Sequence, residues 1–162
     1  MNTTAFTIYD ASAGSGKTYT LTKEYLKILF LATNDDAYRK ILAITFTNKA
    51  VEEMKTRIVS SLYQFSLDNT SDKAMELLKD VASETKLSIA TLKDKSKAII
   101  KNIIHNYAAF DISTIDKFTH KVIRTFAQDL NLPPNFEVSL ETDSLLQEAI
   151  DLVISKAGDD PN

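Results

Sequence analysis

Residues 11–18 read Ala11-Ser12-Ala13-Gly14-Ser15-Gly16-Lys17-Thr18, and this run constrains the fold more than any other. The chain holds three glycines in 162 residues, and two of them stand here, directly before Lys17 and Thr18. Glycines at those places let successive backbone N–H groups turn inward around an anion. The spacing is that of a phosphate-binding loop, with Ala11 in the place of the first glycine. Such a loop works between a strand and a helix. Phe6-Thr7-Ile8-Tyr9-Asp10 alternates β-branched and aromatic side chains and predicts a short strand. Leu21, Tyr25, Ile28 and Ala32 keep helical spacing and predict a helix over 18–33. The helix start adds its positive dipole end to the loop. Lys17 then reaches the β- and γ-phosphates as a point charge, and the Thr18 hydroxyl is offered to Mg²⁺. All eight residues form the candidate triphosphate site. Lys17 and Thr18 are its catalytic pair, and Thr18 is the metal ligand.

The rest of the chain continues the alternation of strand and helix. Ile41-Leu42-Ala43-Ile44-Thr45-Phe46 is a continuous apolar run of strand length, the pattern of a strand buried on both faces. Asn48 is placed to cap the next helix, carried by Val51, Met54, Ile58, Leu62 and Phe65. Residues 66–73 read as a loop, and 74–107 as helices broken between Ser83 and Ser88. Phe110-Asp111-Ile112-Ser113 is a third strand. Thr114 or Asp116 caps a helix running to Leu130, which Leu132-Pro133-Pro134 stops. Phe136-Glu137-Val138 suggests a short edge strand, and a last helix covers about 143–157. The pattern is α/β, with a parallel sheet of at least three strands flanked by helices.

Composition removes several classes of chemistry. There is no cysteine, so disulfides, thiolate metal sites and cysteine nucleophiles are excluded. The two histidines, His105 and His120, cannot make an all-histidine zinc site. No apolar run approaches membrane-spanning length, and Met1-Asn2-Thr3-Thr4-Ala5 has no signal-peptide character. A cytoplasmic location without membrane partners is expected. The net charge of −3 hides +5 over residues 37–127 and −7 over 128–162. The middle can face phosphate, and the acidic tail cannot. Lys86, Lys93, Lys97 and Lys101 fall on one predicted helical stripe opposite Ile89, Leu92, Ile99, Ile103 and Tyr107. That stripe is either a solvated face or a phosphate-contact surface.

Four stretches, in order, resemble the UvrD/Rep/RecB branch of superfamily 1 helicases. The loop with Tyr19-Thr20-Leu21 looks like motif I. Residues 44–58, from Ile44-Thr45-Phe46-Thr47-Asn48-Lys49-Ala50 onward, resemble motif Ia. Ile112-Ser113-Thr114-Ile115-Asp116-Lys117-Phe118 resembles the later Thr-Ile/Phe-His-Ser-Phe motif, and 130–136 follow the family too. The short N-terminus and the long helical insert at 66–107 point to the RecB/AddA-like side. The resemblance implies an incomplete RecA-like P-loop NTPase domain over 1–162, ATP and Mg²⁺ as cofactors, and 3′ to 5′ movement along single-stranded DNA. It implies DNA contacts by Phe46, Thr47, Asn48 and Lys49, and by Thr114, Asp116 and Phe118. An aromatic offers a base a stacking platform. Phe46 and Phe118 equally suit a core. Asp116 replaces the branch's usual histidine; an acid there stabilises the helix start and repels phosphate.

Parts of a working motor are missing. No hydrophobic strand ends in Asp-Glu, and Arg39, Arg57 and Arg124 match no arginine-finger motif. The expectation is therefore the N-terminal part of the ATP-binding domain of a longer helicase or helicase–nuclease, excised or truncated. The chain alone would not hydrolyse ATP. Its expected partners are DNA, a nuclease subunit and a second RecA-like domain. A small P-loop kinase and a non-catalytic phosphate- or DNA-binding module remain as alternatives.

Overall fold

A computed structural model describes residues 6–9, 16–133, 135–137 and 142–156. The chain divides into two compact units, Met1–Phe118 and Thr119–Asn162. Residues 10–15, which hold Ala11, Ser12, Ala13, Gly14 and Ser15, lie outside the described residues.

The first unit is built on four helices. They are α1 (Lys17–Leu31), α2 (Asn48–Ser66), α3 (Asp72–Thr85) and α4 (Ile89–His105). On α2 the buried stripe is the one its spacing predicts, but on α1 only Tyr25 of the predicted Leu21, Tyr25, Ile28 and Ala32 is buried, and Leu21 and Ile28 are exposed. Tyr25, Leu26, Leu29 and Phe30 come from α1, and Met54, Ile58, Leu62 and Phe65 from α2. Leu77, Leu78 and Val81 come from α3, and Leu92, Ile99 and Ile103 from α4. Burying such side chains stabilises the unit by about 1.5–3 kcal/mol each. The helix pair α2 and α4 is the most extensively packed. Tyr38, in a 3₁₀ turn over Ala37–Lys40, is fully buried and donates its hydroxyl to the Asn102 carbonyl at 3.0 Å.

Two short strands, β1 (Ala43–Thr45) and β2 (Ile112–Thr114), pair in parallel. The register is Ala43 with Ile112, Ile44 with Ser113 and Thr45 with Thr114. The helix packed against both strands is α2. Among the described residues the sheet therefore has two strands, not the three or more expected. Residues 6–9 form no strand, and Phe6 and Ile8 are 79% and 76% exposed. Alternation says which way side chains would face; it does not supply the neighbour whose backbone completes a ladder. Nor is the 41–46 run buried on both faces, since Ile44 and Leu42 are exposed. A continuous apolar run reads the same whether one face is covered or two.

Helix ends differ from expectation by a residue or a turn. Thr47, not Asn48, caps α2: it is extended, and its Oγ1 accepts from the Ala50 N–H at 3.1 Å. Both residue types cap well, so the sequence could not choose between neighbours. The expected break falls at Lys86, which takes the left-handed φ of 61°, and Ser88 caps α4 through the Thr91 N–H. Lys86 thus lies off α4, and the four-lysine stripe is reduced to Lys93, Lys97 and Lys101. Lys93 donates to the Leu67 and Asp68 carbonyls at 2.8 and 3.1 Å, closing the end of α2. Its neighbour Lys95 does the same for α1, at the Phe30 and Ala32 carbonyls. These ammoniums satisfy carbonyls that helix ends leave without partners. Of the opposite stripe, Leu92, Ile99 and Ile103 are buried, whereas Ile89 and Tyr107 are exposed.

Helix α5 (Ile115–Thr125) begins in the first unit and ends in the second. It stops short of Leu130. The Phe126 N–H is shared between the Val122 and Ile123 carbonyls, and turns follow. Asn131, at φ 54°, closes them, and the Leu132 N–H reaches back to the Ala127 carbonyl at 2.8 Å. In the second unit the Phe136 ring lies 5.4 Å from that of His120. Residues 136–137 form no strand, and Val138 is outside the described residues. Helix α6 (Thr142–Lys156) is exposed along its described length; Ala157 is again outside the described residues.

Candidate functional site

The phosphate-loop end of α1 is described from Gly16 onward. Gly16 takes φ 82°, and its carbonyl accepts from the Thr20 N–H at 3.0 Å, so it turns the chain into the first helical bond. A Cβ there would meet nothing within 4 Å, yet the left-handed φ itself favours glycine. Lys17 follows exposed, and Thr18 half-buried. Their neighbours on α1 are anchored elsewhere. Thr22, buried, donates to the Thr18 carbonyl at 2.8 Å. Tyr19 donates its hydroxyl to Asp80 on α3 at 2.6 Å. Desolvation, with that bond and the Asp80 charge, pushes the Tyr19 phenol up to about 12.

One turn further on, α1 and α3 are joined by ion pairs. Glu84 receives both Lys23 and Lys27, the latter at 2.6 Å, and Lys27 also holds Glu24 at 2.8 Å. The hydrogen bonds from Lys23 and Lys27 keep the Glu84 carboxyl below the usual range. Burial lowers Lys27, but its bonds to the two carboxylates outweigh that and raise it. Tyr9 is raised as well, by desolvation and then by the charge and hydrogen bond of Glu24. Tyr25 stands apart. Its hydroxyl is buried with no hydrogen-bond partner among the described residues, and burial, with the Asp111 charge, raises its phenol.

A second cluster forms where the parallel strands end. Because Thr45 pairs with Thr114, the chains leave β1 and β2 side by side and both enter helices. Thr47 caps α2, and the Thr114 Oγ1 accepts from the Lys117 N–H at 3.3 Å to cap α5. Two helix starts are thereby placed together, a geometry that attracts anions. Phe46 protrudes at their junction, 86% exposed, and takes no part in the core of the described residues. Thr47, Asn48, Lys49 and Asp116 are exposed, and Phe118 is half-buried. Thr114 is only 5% exposed and its hydroxyl oxygen serves the cap. Behind this edge, Phe110 packs edge-on to Tyr25 and Tyr107, both at 5.9 Å. Lys55 lies 5.2 Å from the Tyr107 ring centre and 6.0 Å from that of Phe110. This aromatic cluster ties β2 to α1 and α2.

The structure thus brings 46–49 and 114–118 to one sheet edge. Sequence reasoning missed that Thr47 is a cap and that Lys93 and Lys95 close helices. The first had a signal, two cap-forming residues in succession. The second had none, because lysine-to-carbonyl bonds leave no spacing rule. Among the described residues, no group of three or more His, Cys, Asp or Glu could hold a metal ion. No helix there is long and apolar enough to cross a membrane.

The model of the UvrD/REP helicase N-terminal domain matches residues 3–161. The chain is 32% identical over 131 residues to an ATP-dependent helicase/nuclease subunit of Lactobacillus acidophilus, covering 81% of the chain and 9% of that protein. It is 29% identical over 152 residues to the protein of the same name from Staphylococcus carnosus, covering 93% and 10%. With that of Streptococcus suis the identity is 31% over 147 residues, covering 89% and 10%. The chain therefore spans about a tenth of the length of these relatives. No solved structure gives a significant match.

Proposed function

The chain belongs to the UvrD/REP helicase N-terminal domain family, and we propose that it supplies the ATP-binding loop and part of the DNA track of a DNA helicase or helicase–nuclease. The observation that carries this is the start of α1. A left-handed Gly16 leads into a helix whose first residues are Lys17 and Thr18, joined to the sequence Ala11–Ser15. The relatives are named ATP-dependent, which favours ATP as the nucleotide.

The residues present fit a triphosphate. The Gly16–Thr18 turn presents backbone N–H groups, Lys17 supplies the charge, and the Thr18 hydroxyl suits one position on Mg²⁺. Mg²⁺ keeps several waters and phosphate oxygens, so one hydroxyl is an adequate share for this segment. When bound, ATP and Mg²⁺ provide the phosphoryl chemistry. The chain's own residues orient the phosphates and neutralise them. We assign the edge formed by Phe46, Thr47, Asn48 and Lys49, with Thr114, Asp116 and Phe118, to single-stranded DNA. Phe46 is its stacking platform. Thr114 acts through its helix cap, and Asp116 through a base rather than a phosphate. We take residues 66–107 as a helical insert in a RecA-like domain. Movement 3′ to 5′, a second RecA-like domain, an associated nuclease and a cytoplasmic location complete the proposal.

The chain alone binds ATP weakly and does not turn it over, because its sequence offers no Asp-Glu strand and no arginine finger. Binding of a fluorescent ATP analogue with Mg²⁺, compared between the chain and Lys17→Ala, is the test. The expected result is weak binding lost in the variant, with no phosphate released by either. Analogue binding unaffected by Lys17→Ala refutes the site. ATP turnover that disappears with Lys17→Ala refutes the inactivity.

A further inference from the structure

Between α1, α2 and α3 lies a cleft of about 370 Å³ that contains none of the residues assigned above. Its lining side chains are mostly polar in type, with Ala74 and Leu77 among them, although their carbon atoms make up most of the surface they expose to it. Thr56 and Ser60, one turn apart on α2, line it, and Ser61 and Ser71 add hydroxyls. Two cations, Arg57 and Lys73, line it, and no carboxylate does. Arg57 is steadied by Glu53, one turn earlier, at 2.6 Å. Lys73 has no carboxylate partner among the described residues.

The position of the cleft follows from helix register. The bonds from Tyr19 to Asp80 and from Lys23 to Glu84 both join residues 61 apart, so α1 and α3 run parallel. Lys73 near the start of α3 therefore lies toward the Gly16 end of α1. The cleft flanks the triphosphate helix without sharing Lys17 or Thr18.

We propose that this cleft is a second phosphate site, which takes a phosphate group of a nucleotide unit. The Arg57 Nη1, which Glu53 does not engage, an ammonium and several hydroxyls suit an anion with three or more oxygens better than a planar carboxylate. The volume is at the small end of the range for ligand pockets, enough for one such unit. The phosphate can come from a free nucleotide or from the backbone of a single strand. The site does not depend on the function proposed for Lys17 and Thr18.

The test is an amide NMR titration of the 162-residue chain with two probes, pyrophosphate and a short oligothymidylate. The expected result is saturable shifts over 56–61 and 71–74 that persist in Lys17→Ala. The affinity should weaken about tenfold in the double variant Arg57→Ala/Lys73→Ala. Ser60→Leu, which fills the cleft and keeps both charges, should weaken it similarly. Shifts with pyrophosphate identify free phosphate groups as sufficient, and shifts with the oligonucleotide alone identify a strand. The proposal is overturned if neither probe shifts those amides. It is also overturned if the shifts vanish in Lys17→Ala, or if neither cleft variant weakens them.

Discussion

Replacing Phe46 by alanine separates two roles that a phenylalanine after a strand can play. If the ring belonged to the core, its removal would cost about 3–5 kcal/mol, as expected for Phe65, which is 0% exposed. Phe46 is 86% exposed, so it has little burial to lose. The expected change in stability is within about 0.5 kcal/mol. For a domain of this size that is roughly 1–2 °C in Tm, against about 6 °C or more for Phe65→Ala. If the ring instead stacks on a base, Phe46→Ala removes about 1–3 kcal/mol of binding. That corresponds to a roughly 5- to 150-fold weaker Kd for single-stranded DNA. Fluorescence anisotropy with a labelled oligothymidylate of about 16 nucleotides, at low salt, reads the affinity. Thermal melting of the same samples reads the stability. Phe46→Tyr should bind nearly as well as the parent chain, since the π-face is kept. The reasoning is refuted if Phe46→Ala melts as Phe65→Ala does, or if it binds the oligonucleotide unchanged.

Three further outcomes follow from the hydrogen bonds and charges. Thr47→Ala should lower stability by about 1 kcal/mol and Thr47→Ser much less, whereas Asn48→Ala should be near neutral; chemical denaturation of the three distinguishes the true cap of α2. Glu84→Gln should cost at most about 1 kcal/mol at neutral pH, since the carboxylate is 37% exposed and screened. The Glu84 carboxyl is held below its ordinary 4.5, so its contribution is complete above that pH and fades as pH falls through the lowered value. Melting curves of the parent chain and Glu84→Gln should therefore converge in acid and separate toward neutral pH. Tyr25→Phe should be neutral or slightly stabilising, because it removes a buried hydroxyl without a partner among the described residues; a loss above about 1 kcal/mol in denaturation would show that the hydroxyl is bound.

What the sequence revealed depended on how local the cause was. The helices were legible as helices because each carries local periodicity; α2 buries Val51, Met54, Ile58, Leu62 and Phe65 as spaced, whereas α1 turns Leu21 and Ile28 outward and buries Leu26, Leu29 and Phe30 beside Tyr25. The start of α1 was legible for the same reason, since Gly16 needs its φ of 82° whatever surrounds it. The sheet was less legible, because a strand is a relation between segments. Residues 6–9 and 43–45 alternate or run apolar alike, yet only the second has a partner among the described residues, Ile112–Thr114. The lysines of α4 show the same limit in charge. Lys93 and Lys95 were indistinguishable in sequence from the exposed Lys97 and Lys101, and became helix caps because α2 and α1 end beside them. The candidate DNA edge combines both kinds of cause. Thr47 and Thr114 act locally, as caps, but the pairing of Thr45 with Thr114 puts their two helix starts together. A three-residue register slip of β2 would keep both capping hydrogen bonds and still separate the helix starts by about 10 Å. The edge can therefore be disabled without touching a residue that faces the ligand. Core changes at Phe110 or Tyr25, whose rings set the approach of β2, should weaken the edge before they unfold the unit.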